Sequence, residues 1–174
     1  MLTQVDTIGT EKEHRGYILP YDPLNPDANA ISRGVLRLLD GLAFAGLTEV
    51  TLPNRRRADV MAIGGGGEIT IVEIKSSVAD FRSDGKWEDY LPYCDQFLFA
   101  VPGHFPQDLI PNHTGLIVAD AFGGAILRQS PVNKLAAARR KALTLRFARL
   151  AATRLTIAGA ESGKNDSDLN DILI

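Results

Sequence analysis

The chain has 174 residues, 45% hydrophobic and 23% charged, which suits one soluble domain with a buried core and excludes a disordered polyelectrolyte. A net charge of −2 excludes a uniformly basic polyanion binder, and the single cysteine, Cys94, excludes an internal disulfide or a cysteine-built zinc centre. The N-terminus carries acids and glycine where a secretory signal would be apolar, and no apolar run approaches the roughly 18 residues of a membrane helix, so a cytoplasmic protein without membrane contact is expected.

Residues 1–24 mix polar residues, Gly and Pro without sustained periodicity and read as an arm beside a domain spanning 25–155. Asn25-Pro26-Asp27 is a helix start: a capping residue, proline at the first helical position, and an acid in the first turn. Ile31, Val35, Leu38, Leu39 and Leu42 recur at helical spacing and predict an amphipathic helix to about residue 45, stopped by Gly46. A short strand over 49–52 follows, closed by Pro53-Asn54. Arg55, Arg56 and Arg57 come next, placed either to hold phosphates or to balance nearby acids.

Residues 58–63 and 68–76 are rich in Val, Ile and Thr, and Gly64, Gly65, Gly66 and Gly67 separate them. This predicts a β-hairpin, with glycines supplying the positive φ of a tight reversal. A phosphate-cradling loop is disfavoured because no Gly-Lys-Ser/Thr follows and the run joins two strands. Asp59 and Glu73 are equidistant from Gly66, so they should lie opposite one another or one residue apart. Opposed Cβ atoms in a hairpin are about 4.5–5.5 Å apart, and two like charges there repel. A divalent cation between them relieves the repulsion; Mg²⁺ takes oxygen ligands at about 2.0–2.1 Å. Lys75 shares a face with Glu73, because strand side chains alternate, and can orient or deprotonate a water or neutralise charge on a phosphate. The competing reading is a solvated strand face. It is weakened by Ile69 and Ile71 on the face of Glu73 and Lys75, and by Val72 and Ile74 on the other. A strand apolar on both sides is normally central, and charges within one need partners.

Ser76-Ser77 should cap a short helix over 78–82 with Asp80 in its first turn; residues 84–87 then turn into a second helical piece reaching about residue 91. Lys86 is the best contact for DNA in this segment, whereas Trp87 and Tyr90 at helical spacing read as core. Strands are expected over 95–101, 115–119 and 125–128. His14, His104 and His113 lie in separate loops without metal-ligand spacing. The segment 121–155 carries Arg128, Lys134, Arg139, Arg140, Lys141, Arg146, Arg149 and Arg154 and no acid. Within it, 134–155 reads as a long helix in which Leu143, Phe147 and Leu150 share an arc with several arginines. Such a helix suits DNA backbone, with Arg139, Arg140 and Arg146 as contacts, or an oligomer interface such as a homodimer. Residues 156–174 read as a polar, mobile tail.

Asp59 followed by Glu73-Ile74-Lys75 on the next strand resembles the core of the PD-(D/E)XK nuclease superfamily. A longer likeness runs from about residue 53 to 155. It rests on Arg57-Ala58-Asp59-Val60, Val72-Glu73-Ile74-Lys75-Ser76-Ser77, the run from Asp80 through Trp87, and Tyr93-Cys94-Asp95 through Pro102. These strings resemble the MmcB family of small bacterial proteins associated by name with DNA repair. The resemblance implies Asp59 and Glu73 as metal ligands and Lys75 as the catalytic lysine. Superfamily members often place an extra acid early on the first helix. Here Ser32 and Arg33 occupy that region and Asp40 lies late, which points to one metal, a water-mediated site or a weakened enzyme.

The expected fold is α/β: a restriction-endonuclease-like core with a central mixed β-sheet flanked by helices in the order α-β-β-β-α-β. The leading expectation for function is a metal-dependent deoxyribonuclease in DNA repair. Asp59, Glu73 and Lys75 would be catalytic, and Mg²⁺ or Mn²⁺ would be held by Asp59, Glu73 and the Ile74 carbonyl. Its partners would be DNA, read by structure rather than sequence, and other repair proteins. The alternatives are a non-catalytic DNA-binding module of a repair complex and a protein-interaction domain built on the long helix.

Overall fold

A computed structural model describes residues 27–83 and 85–170, with side chains to residue 160. The expected arm, Asn25-Pro26 and the last four residues lie outside them. Helix α1 spans Ala28–Gly41, and its cap is Asp27, whose Oδ1 accepts from the Ala30 amide at 2.7 Å. Asp27 is therefore the capping residue rather than an acid within the first turn. The helix also ends sooner than its apolar spacing suggests. Ala43 adopts a φ of 62°, and the chain turns directly into β1, Phe44–Thr51.

Gly46 thus lies within β1 instead of stopping α1. An added Cβ there would meet Leu36 Cδ2 at 2.5 Å, so the glycine lets the helix approach the strand. Strand β1 is longer than its sequence suggests because, of its eight residues, only Val50 is fully buried. It has no clean alternation to read.

The remaining strands are β2 (Arg57–Gly64), β3 (Ile69–Ile74), β4 (Gln96–Val101), β5 (Gly115–Ala119) and β6 (Gly124–Arg128). They form one six-stranded sheet in the order β1-β2-β3-β4-β5-β6. The β3–β4 and β4–β5 pairs are parallel and the others antiparallel. Helix α2 (Val78–Ser83) and a 3₁₀ segment (Trp87–Tyr93) make the crossover from β3 to β4, as the capping signals at Ser76 and Ser77 predict. Helix α3 spans Ala137–Asn170. It begins three residues later than expected and carries helix through 156–170, where the sequence reads as a tail.

The sheet is covered on both faces. Val60, Ala62, Val72, Ile74, Leu98 and Ala100 pack with Ile31, Val35 and Leu39 of α1. Met61, Ile69, Ile71, Phe97, Phe99 and Val101 pack with Trp87, Tyr90, Phe105 and Leu143 of α3. Trp87 and Tyr90 stack on Phe97 with centroids 5.5 and 6.0 Å away, so both aromatics belong to the core, as expected. This mixed sheet between helical layers is compatible with a restriction-endonuclease-like core. Among the described residues, no helix is long and apolar enough to cross a membrane.

Helix α1 meets the β5–β6 turn at Gly34, where a Cβ would stand 2.0 Å from the Asp120 carbonyl oxygen and 2.5 Å from that of Gly123. Both obstacles are backbone and cannot rotate away. Gly34→Ala should therefore destabilise the protein by about 2–3 kcal/mol in chemical denaturation. Gly41→Ala, with nothing within 4 Å of the new methyl, should be neutral or slightly stabilising. Equal stability of the two variants would contradict this packing.

Candidate active site

The β2–β3 register pairs Val60 with Val72, Met61 with Ile71, Ala62 with Thr70 and Ile63 with Ile69. Continued by one residue, it sets Asp59 across from Glu73, as their spacing about Gly66 predicts. The turn closes with the Gly64 amide on the Glu68 carbonyl and the Gly67 amide on the Gly64 carbonyl, both at 2.9 Å. Among the four glycines only Gly67 takes a positive φ, 84°, so one of them, not all four, meets the left-handed requirement.

All six residues of β3 are buried. Glu73 lies among them, and Lys75 follows at 3% exposure with its Nζ 3.3 Å from Glu73 Oε1. Such a pair is expensive to desolvate, and its attraction recovers that cost only in good geometry. Asp59 is half-buried, and its Oδ2 accepts from the Ile74 amide at 2.7 Å, so the carboxylate reaches across to β3. Burial pushes its pKa up; the Ile74 N–H and the Lys75 charge oppose that, and Glu49 and Asp80 add to it. The structure thus gathers Asp59, Glu73, Ile74 and Lys75 at the ends of two adjacent strands.

Asp59 and Ile74 open onto a cleft of about 310 Å³ between α1 and the sheet. Ser32 and Arg33 of α1 line the same cleft, so the region of the helix that faces Asp59 presents a hydroxyl and a guanidinium instead of an acid. Glu49 of β1 lines it too, a residue the sequence alone does not single out. Its φ of 53° is costly for a glutamate, and its carboxylate pairs with Arg57 Nε at 2.5 Å. No motif signals this role; only the fold of β1 against β2 reveals it.

The donor set fits a hard divalent cation. Among the described residues Asp59 uses only Oδ2 in hydrogen bonding, and burial disfavours its charged form, which a cation would relieve. Among the described residues no three His, Cys, Asp or Glu side chains cluster as a metal cage.

The family model for MmcB-like DNA repair proteins matches residues 23–162. This chain belongs to the MmcB-like family. A solved structure, the SPO1766 protein of unknown function from Silicibacter pomeroyi, is 43% identical over 79% of this chain and 91% of its own, with a TM-score of 0.73. No curated protein matches the chain significantly.

The basic residues of this MmcB-like protein divide into two groups. Arg56 makes a two-pronged bond to Asp89 at 2.8 and 2.9 Å, and Arg57 is held by Glu49. Arg140 is bound by Asp95, and Arg146 donates through Nε to the Thr51 carbonyl. These four are engaged within the domain. Arg55, at a φ of 68°, is exposed and makes no ion pair among the described residues. Lys86 is exposed, and Arg139 lies over the Tyr93 ring at 5.8 Å while donating to the Pro92 carbonyl.

Asp95, which in the sequence opens a strand and belongs to the Tyr93-Cys94-Asp95 string without any sign of a role, proves to be a buried hub. Buried at 3% exposure, it accepts from Arg140 at 2.6 and 2.7 Å, from the Ile69 amide at 2.7 Å and from the Leu135 amide at 2.9 Å. Burial alone would raise its pKa, but Arg140 and the two amides outweigh it and hold the carboxyl below its usual range. Its neighbour Cys94 is pushed up to about 12, chiefly by burial, and is an inert thiol.

Arg140→Ala should cost about 3 kcal/mol, because it strands a buried carboxylate. A depressed carboxyl pKa adds stability above the ordinary value of about 3.9, and this is lost as pH falls through the folded-state value. Asp95→Asn should therefore be less stable than wild type at neutral pH, and the gap should narrow below about pH 4. Urea denaturation across pH measures both; a gap that stays constant in acid would refute the assignment.

Proposed function

We propose that this protein is a metal-dependent deoxyribonuclease of the PD-(D/E)XK type that hydrolyses phosphodiester bonds in DNA repair. The observation that carries the reading is the buried Glu73–Lys75 pair, set on an apolar central strand beside the half-buried Asp59. Apolar residues would fill those positions at less cost, so the charges point to chemistry. Membership of a family named for DNA repair supports DNA as the substrate class.

Mg²⁺ or Mn²⁺ held by Asp59, Glu73 and the Ile74 carbonyl would supply Lewis-acid polarisation of the phosphate and acidification of water. The Ile74 amide fixes Asp59, leaving Oδ1 for that role. Glu73 fixes the Lys75 ammonium, which is thereby positioned to orient the attacking water and to meet negative charge on the phosphate. Arg33 in the cleft and Arg55 on the surface are the groups best placed for backbone phosphates. Arg56, Arg57, Arg139, Arg140 and Arg146 would first have to exchange their present partners. Backbone contacts favour recognition of DNA structure over sequence.

Ser32 and Arg33, facing Asp59 where a further acid would strengthen a metal site, favour a second reading. In it the chain keeps the nuclease fold as a DNA-binding module of a repair complex and does not cut.

Calorimetric titration of Mg²⁺ and Mn²⁺ into wild type, Asp59→Ala and Glu73→Ala, followed by incubation with nicked, branched and single-stranded DNA, separates the two. The nuclease reading expects metal binding lost in both variants. Lys75→Ala should keep binding metal but cleave on the order of a hundredfold more slowly or worse. Salt-sensitive DNA binding without metal uptake or cleavage by the wild type would overturn it in favour of the binding module.

A further inference from the structure

Helix α3 carries two distinct stripes. One faces the domain: Leu143 is fully buried, Phe147 and Leu150 pack on the core, and Arg140, Arg146 and Arg154 bond to Asp95 and to the carbonyls of β1. The other runs through Leu145, Ala148, Ala152, Leu155 and Gly159. Leu145 is 56% exposed and Leu155 77%, the alanines are exposed, and nothing lies within 4 Å of a Cβ built at Gly159. Among the described residues, no element of the chain covers this second stripe.

The spacing alternates three and four residues, the repeat by which two helices interlock side chains along a seam. Small residues at Ala148, Ala152 and Gly159 allow close approach of a second helix. Charge then selects its direction. Residues 137–154 of α3 hold no acid, and Lys141 and Arg149 are exposed there, whereas Glu161, Asp166 and Asp168 follow on the same helix. A parallel partner would set basic against basic; an antiparallel one sets each basic half against an acidic end.

We infer that α3 pairs with α3 of a second copy of this chain, antiparallel about a two-fold axis between Ala152 and Leu155. In that register Ala152 opposes Leu155, Ala148 opposes Gly159 and Lys141 opposes Asp166, so the seam matches in both bulk and charge. The interface is isologous and closes at two copies. It leaves the Asp59 cleft, which is lined from α1, β1 and the ends of β2 and β3, outside the seam.

Sedimentation equilibrium and light scattering on the full chain test this. The expected result is a dimer whose self-association weakens at least about tenfold in Ala152→Glu, with the melting temperature of the monomer unchanged because the position is exposed. Lys141→Glu and Asp166→Lys should each weaken the dimer, and the double exchange should restore it. A chain with Lys141→Cys and Asp166→Cys should oxidise to a covalent dimer. The two positions are too far apart along one helix to join within a chain, and the native Cys94 is buried. A monomer at all accessible concentrations, a dimer indifferent to Ala152→Glu, or failure to cross-link would each overturn the pairing.

Discussion

The carboxylate of Asp95 is shut away from water at the start of β4, and the donors around it decide how the rest of the molecule fits together. One guanidinium and two backbone amides converge on it, joining the first residue of β3, the approach to α3 and α3 itself. The same guanidinium also binds the Gly67 carbonyl in the β2–β3 turn. The hairpin is thus clamped at its closed end, while Asp59 and Glu73 lie at the open end. Strand side chains alternate with period two, so a slip of one residue at the clamp would turn Glu73 and Lys75 to the opposite face. Placement of the candidate site depends on an ion pair far along the strand from it.

The clamp and the site contain similar groups with opposite consequences. Asp95 has enough donors to make its charge favourable in place. Asp59, with one amide and a nearby ammonium, does not overcome its burial, and its pKa is raised. Glu73 and Lys75 hold one another at 3.3 Å beside a core that is otherwise apolar. One carboxylate settled by the fold beside another left unsettled is the contrast expected between scaffold and reactive centre.

Much of this was legible in the chain. The hairpin register followed from Asp59 and Glu73 being equidistant from one glycine. The crossover followed from Ser76, Ser77 and Asp80, where Ser77 Oγ accepts from the Asp80 amide and an Asp80 oxygen accepts from the Ser76 amide. What was hidden depends on tertiary contact. Strand β1 lacks alternation because only one of its residues is fully buried. Gly46, which reads as a helix stop, is a point of close approach. Arg140 and Arg146 read as DNA contacts because nothing local reveals that their partners lie across the domain, Asp95 just before β4 and Thr51 at the end of β1. Glu49 enters the cleft through a backbone conformation that no motif announces.

Every strand of the sheet lies beside its predecessor in the chain, so the sheet can assemble in order as the polypeptide emerges from the ribosome. The exception is the outer edge of the first strand. Its Thr48, Glu49 and Thr51 carbonyls accept from Arg154 and Arg146, about a hundred residues later. Until the last helix is synthesised, the nascent sheet therefore presents an open β-edge, the kind of surface that chains use to join one another wrongly. In the finished molecule the C-terminal helix is the cover that the N-terminal strand had to wait for.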